Sequence, residues 1–450
     1  MLVTRGPRAA ILAAGAAFLL VISACGTTDK PDETATSQVR LYGTDGNMFN
    51  SFPTELKERA DLVDGMKGTT PLTPLTDDFK ERLRAVDPTL ADFLYAAESY
   101  DAVMISALAA QLAGSTDPAD IAKQIVGVTT NGQRCSDART CLALARAGQD
   151  VEYRGPSLTR AGFTDAGEPA TASYATLHFD AQKINDAKTE FVGAGTEAGA
   201  STKAPPKPKK QRGGKNDRSD GSPLILGGLL PKTGDLSLAY PPQGAGAALA
   251  VREINAAGGV LGESMVWIDG DDGTNPAVAK ATVASHIGKN VQVIIGAGAS
   301  GISRAVLPDV VAAGRILFSP SNTDSGLSKV DDQGLYFRTA PPDSLQGRAL
   351  ADVMLRDGPH KIVLVARKDS YGEGLQETVR AELERAGFGG DRVKLFTYEP
   401  PADAAADAVD FSGTAKEIKS YGPEAVLIIG FAESAGLIRA LDDAGVSIRH

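Results

Sequence analysis

The segments of this chain that could do chemistry are short polar loops that follow apolar runs. "GAGASGIS" (296–303) opens a helical pattern, so its backbone N–H groups and the Ser300 and Ser303 hydroxyls can hold an anion at a helix N-terminus. "SPSNTDS" (319–325) adds hydroxyls and free amides through Ser321, Asn322 and Thr323. Tyr371, Glu433 and Asp45 stand in other loops and can meet a cation. Donors for an anion on one side and acceptors for a cation on the other suit a zwitterion, and an α-amino acid is the simplest case. Taken singly, each residue has a structural role to hand: Ser as a cap, Tyr as packing, Asp as a turn former. Their joint position after apolar runs is the signal.

Nothing points to catalysis. There is no G-x-S-x-G turn and no metal-ligand spacing. His178, His286, His360 and His450 lie in unrelated segments. "GAGASG" is similar to a dinucleotide loop but lacks the full spacing within an opening βαβ unit. The expectation is a binding protein, not an enzyme, with no catalytic residue, metal or cofactor.

The elements that must position these loops alternate. From residue 223, "LILGGLLP", "SMVWIDGDD", "VQVIIGAG", "RILFSPS", "KIVLVARKD", "RVKLFTYEP" and "AVLIIGFAE" read as strands. Between them, "GAGAALAVREINAAGG", "AVAKATVASHIGK", "SRAVLPDVVAAG", "GLQETVRAELERAG" and "FSGTAKEIKSYG" read as helices. Continuous apolar strands alternating with helices mean an α/β fold with a parallel sheet covered on both faces. Ligands of such sheets bind at the carboxyl ends of the strands, which is where these loops fall.

The first residues set the compartment. Arg5 and Arg8 precede an apolar stretch, Ala9 to Ile22, that is too short to span comfortably as a permanent helix. Ile22-Ser23-Ala24-Cys25 resembles a bacterial lipobox, so 1–25 reads as a lipoprotein signal peptide with Cys25 lipidated. The alternative is an ordinary secretory peptide with an incidental Cys. Residues 26–38 read as a tether. Of three cysteines in all, Cys135 and Cys141 then remain to form a disulfide in an oxidising compartment, with free thiols as the alternative. The chain has 450 residues and a net charge of −10, enough length for two lobes and no basic stripe for nucleic acid. One Lys/Pro-rich stretch, 201–222, lacks interleaved aromatics and reads as a solvated linker.

The order of segments is unusual. "RALDDAGVSIRH" ends the chain where a βαβ unit needs its next strand, while "VRLYG" (39–43) starts as a strand with no helix before it. Joined, they make a continuous helix–turn–strand–loop, as in a circular permutant.

The sequence "GGLLPKTGD … INAAGGVLG … DGTNPAVA … IIGAGAS … FSPSNT … YFRTAPPDSLQG … DSYGEG … DFSGTAKEIK … GVSIRH" resembles the first part of a type I periplasmic-binding protein, closest to the branched-chain amino-acid-binding proteins of ABC importers. "VRLYGTDGN … GMKGTTP … FLYAAESYDAVMISALAAQLAGSTDPADIAKQI … YRGPSLTRAGFTDAGEPATASY" resembles the remainder, so 39–200 would be the family's C-terminal part and 223–450 its N-terminal part. The resemblance implies two doubly wound lobes around a ligand cleft, joined by three crossovers near Phe337–Pro342, Met66–Thr70 and Ser173. One lobe would hold 223–338 plus 70–165. The other would hold 340–450, 39–68 and the segment after Ser173.

By position, the resemblance gives Ser300 to the ligand carboxylate. It gives Ser321, Asn322 and Thr323 to the second carboxylate- and amine-contacting loop, and Tyr371 to closure from the other lobe. Asp45 goes to the α-ammonium and Phe431 to the same wall. The chain departs from the family near Ala239, where an aromatic lid is common; adjacent Tyr240 is the candidate to replace it. The function implied is an extracytoplasmic lipoprotein, lipid-anchored at the bacterial membrane, that captures a branched-chain or other aliphatic amino acid for an ABC permease. The alternative is a sensing module for amino acids or small amides with no transport role.

Overall fold

The computed structural model describes residues 38–207, 222–401 and 409–449. The signal peptide with Cys25, nearly all of the tether and linker residues 208–221 lie outside the described residues.

Two large sheets organise the described residues, beside a two-stranded parallel pair, Gln133–Cys135 with Val151–Tyr153. The first is all parallel, in the spatial order Tyr336–Arg338, Ile316–Ser319, Val293–Gly296, Ile225–Leu229, Val266–Ile268. The second runs Val393–Tyr398, Ile362–Arg367, Ala425–Ile429, Arg40–Gly43, Lys67–Pro71, Thr171–Asp180 and Lys183–Ile184, with Glu190–Gly195 also paired to Thr171–Asp180. Its strands are parallel up to Lys67–Pro71, after which the ladder turns antiparallel. "VIIG", "IVLVAR" and "AVLII" are buried at every position, as strands covered on both faces must be.

Each sheet is the centre of one lobe. One buried cluster joins residues 224–337 to residues 79–163; the other joins 340–448 to 39–66 and 175–179 and also takes in first-lobe residues such as Tyr95, Leu229, Ala279, Ile294 and Val306. The expected lobes and three crossovers hold. Two crossings fall a few residues from the expected places, beyond Pro71 and before Thr171. The cause is the antiparallel ladder from Lys67↔His178 to Pro71↔Tyr174, which keeps both strands wholly in the second lobe.

The two ends of the described chain meet in the second lobe. Arg40–Gly43 pairs with Ala425–Ile429 in parallel register. The Val39 N–H donates to Ser447 O at 2.7 Å, and the Arg449 N–H donates to Val39 O at 2.9 Å. Residues 446–449 therefore add a single bridge, Val39↔Ile448. The edge that takes Ile448 is taken over at Tyr42 by Lys67, so there is no free edge to extend along.

In the first lobe, Ala96–Ala113 is buried along its whole length beneath helix Tyr240–Ala256. The two can lie this close because position 246 is glycine: a Cβ there would sit 2.1 Å from Ala96 O. The "CSDARTC" segment is not a plain loop. Cys135 ends strand Gln133–Cys135, Asp137 caps helix Ala138–Arg146, and Cys141 lies in that helix with the Cα atoms of the two cysteines 5.4 Å apart.

Arg338 stands where the chain first leaves the first lobe, and it is 1% exposed. Its guanidinium meets Glu168 Oε2 at 2.5 Å and donates to Ser328 Oγ, Asn322 O (3.2 Å) and Asp324 O (2.8 Å). Glu168 belongs to the third crossing, so one buried ion pair holds two crossings and the 322–324 loop together. Arg338→Ala leaves Glu168 uncompensated and should cost about 3–5 kcal/mol in chemical denaturation. A loss near zero would remove this pair from the structural account.

Candidate functional site

The loop after Arg40–Gly43 is a locked turn. The Thr44 N–H donates to Asn47 Oδ1 at 2.9 Å, and Asn47 Nδ2 donates to Ile428 O at 3.0 Å. Gly46 is required here, because a Cβ would fall 2.4 Å from Gly430 O. The turn presents Asp45, whose carboxylate accepts from Tyr95 (2.8 Å), Tyr371 (3.0 Å) and Gln346 (3.1 Å). Burial nonetheless pushes the Asp45 carboxyl up, against the lowering by these three donors. Tyr95 reaches it from the first lobe, so this contact crosses the cleft. Tyr95 precedes helix Ala96–Ala113 in a left-handed conformation, φ +62°, an uncommon geometry for a bulky residue.

Tyr371 accepts from or donates to Thr44 Oγ1 at 2.8 Å and stacks on Phe431, with ring centroids 5.4 Å apart. Against Phe431 also lies the Arg367 guanidinium, 3.8 Å from the ring centroid. Arg367 is buried among carboxylates: Asp369 at 2.6 Å, Glu433 at 2.8 Å and, from the first lobe, Asp235 at 3.7 Å. Glu433 is thus taken by Arg367 and by the Tyr398 hydroxyl (2.7 Å). Asp235 is pushed up to about 7, first by burial and then by Glu433, with Arg367 opposing.

On the first-lobe side, Ser300 opens helix Ser300–Ala312. Its Oγ accepts from the Thr323 and Asp324 N–H groups at 3.3 and 3.2 Å, which leaves its hydroxyl hydrogen to donate. Ser321 Oγ donates to Gly298 O at 2.9 Å. Ser303 accepts from the Ala297 N–H and serves the loop instead.

Asp45, Ser300, Ser321, Tyr371 and Phe431 line one narrow interlobe space, together with Tyr95, Leu236, Ala239, Gln243, Gly298 and Ala299. Three expected residues are outside that lining. Asn322 lies behind the wall, its amide donating to Ala297 O and Gly298 O and its Oδ1 accepting from Tyr336. Thr323 contributes a backbone N–H to Ser300. Tyr240 begins a helix and packs under Lys232, and Ala239 takes the lining position. Tyr95, Gln243 and Gln346 were not anticipated; they come from helix starts that carry no local binding signal. A wider groove beside Phe93 and Phe191 is lined by Thr70, Thr73, Thr189, Asp92, Asp186, Lys80 and Arg84, and it includes none of the residues expected from the sequence.

The family described as periplasmic binding protein matches residues 223–449. Among curated proteins, the chain is similar to the Leu/Ile/Val-binding protein homolog 3 of Brucella melitensis biotype 1, 28% identical over 227 residues, covering 50% of this chain and 59% of that protein. It is also similar to the leucine-, isoleucine-, valine-, threonine-, and alanine-binding protein of Pseudomonas aeruginosa, 27% identical over 223 residues, covering 49% and 57%. The chain thus spans under two thirds of the length of the curated relatives it matches. Among solved structures, it is similar to the branched-chain amino acid transporter substrate binding protein LivJ of Streptococcus pneumoniae in complex with isoleucine, at 26% identity, TM-score 0.43, covering 50% of this chain and 63% of that one.

The Asp235 cluster has a pH consequence. A carboxyl whose folded value is raised adds stability that is full below its ordinary value and is lost as pH rises through the raised one. Asp235→Asn should therefore flatten the fall of Tm between about pH 4 and pH 7, relative to wild type. Parallel Tm–pH curves for the two proteins would show that Asp235 carries no such linkage.

Proposed function

We propose that this chain, which belongs to the periplasmic binding protein family, is an extracytoplasmic capture protein of an ABC importer that closes its two lobes on an α-amino acid. The observation that carries this reading is Asp45: a buried carboxylate with no cationic partner among the described residues, lining the same interlobe space as Ser300 at a helix N-terminus. Asp45 takes the α-ammonium, and Ser300 with the amides behind it takes the α-carboxylate. Tyr95 and Tyr371 orient Asp45 from both lobes, so ligand charge, tyrosine hydroxyls and closure are one arrangement. The names of the relatives make leucine, isoleucine and valine the first ligands to try. Capture here is binding alone; the reading includes no bond-making step.

The same reading takes the protein to be lipid-anchored through Cys25 and to hand its ligand to permease subunits. It also takes the segments to follow a circularly permuted order. Support for the last point is that residues 39–43 and 425–429 share one parallel ladder. Co-purification of a permease separates delivery from sensing.

Calorimetry with free α-amino acids should show a saturable one-to-one site. Asp45→Ala should lose about 3–5 kcal/mol of affinity, because a buried ammonium loses its counter-charge. A panel in which sugars or nucleosides bind and no α-amino acid does would overturn the reading.

Cys135 and Cys141 should be bonded in the exported protein, closing a loop that adds about 2 kcal/mol or more. Mass measurement without reductant should find no thiol to alkylate at either position. Two alkylated thiols would refute the bond.

A further inference from the structure

The polar side chains lining the interlobe space are engaged by protein partners at 3.3 Å or less, with one exception. Tyr95 and Tyr371 each donate to Asp45, Ser300 accepts two backbone N–H groups, and Ser321 donates to Gly298 O. The exception is Gln243, in the first turn of Tyr240–Ala256 and 0% exposed. One end of its carboxamide reaches Ser321 Oγ at only 3.4 Å. The other end, Nε2, is buried and has no partner among the described residues. Ser321 has one hydroxyl hydrogen and spends it on Gly298 O, so turning the carboxamide over only exchanges which of its polar atoms is left open. A buried amide left unbonded is costly, and a ligand group that bonds it removes the cost.

We infer that Gln243 sets the side-chain specificity of this site, by bonding an uncharged polar side chain of the bound amino acid, a hydroxyl or a carboxamide. This inference rests on the amino-acid reading above and refines it. The α-ammonium and α-carboxylate have their own partners in Asp45 and in Ser300 with its helix amides. Gln243 stands on a different element from Asp45 and Ser300 and lines the same space as Leu236 and Ala239. Hydroxyl and carboxamide groups both donate and accept, so they complement the open atom in either orientation. Charged side chains are disfavoured because Asp45 is the one charged residue in the lining, and Arg367 is held behind Phe431 by its own carboxylates. Leucine or valine would fill the space and leave the amide unbonded.

The test uses near-isosteric ligand pairs on the full chain: threonine against valine, and asparagine against leucine, by calorimetry. In wild type, the polar member of at least one pair should bind about tenfold more tightly or better. In Gln243→Leu, which keeps the side chain's bulk and removes its polarity, that ratio should fall about tenfold or more. Wild type favouring the apolar member of both pairs, or binding both members equally, overturns the inference, and this arm stands even if the variant does not fold. A uniform loss across all four ligands in Gln243→Leu also overturns it, since that would place Gln243 on the shared α-carboxylate. Binding of no amino acid at all sinks the proposed function itself, a separate outcome from an unchanged ratio.

Discussion

The buried pair of Arg338 and Glu168 is the constraint on which the rest of the molecule depends. A guanidinium this enclosed needs its donors met, and it meets them with a carboxylate from one crossing and carbonyls from the 322–324 loop. That loop in turn holds Ser300 through two N–H groups, and Asn322 holds the carbonyls of Ala297 and Gly298. The position of the anion-facing wall is thus set by a charge that never touches the cleft.

The opposite wall is built on a different principle. Asp45 and the Arg367 cluster both place carboxylates in surroundings that disfavour their charge, and both do so where the lobes meet. Around Arg367 one guanidinium serves three carboxylates, one of them from the first lobe. Around Asp45 three neutral donors stand in for a cation. A closed cleft with surplus negative charge is one that a positively charged group completes.

Much of this could be read from residue order. Apolar runs such as "VIIG" and "AVLII" name their strands because burial on both faces leaves no polar alternation to confuse them. The loops after them located Ser300, Ser321, Tyr371, Phe431 and Asp45 because ligand sites fall at strand ends in parallel sheets. Tyr95 and Gln243 were not legible: each starts a helix, and only the packing of one lobe against the other turns them toward the cleft. Ala239 and Tyr240 show the limit of position alone, since one residue of helical rotation decides which of them lines the space. "VSIRH" has strand composition, yet pairing depends on a free edge, and Lys67–Pro71 occupies it.

The parallel ladder between Arg40–Gly43 and Ala425–Ile429 has a consequence for how the molecule comes into being. The paired residues Arg40 and Ala425 stand 385 positions apart in chain order (425 − 40). The loop bearing Asp45 therefore has no partner along that edge until residues 425–429 are in place. Contacts this remote in order close late and slowly. The first lobe's strand block, Ile225 to Arg338, can assemble from continuous chain, whereas the wall around Asp45 depends on a pairing between remote segments.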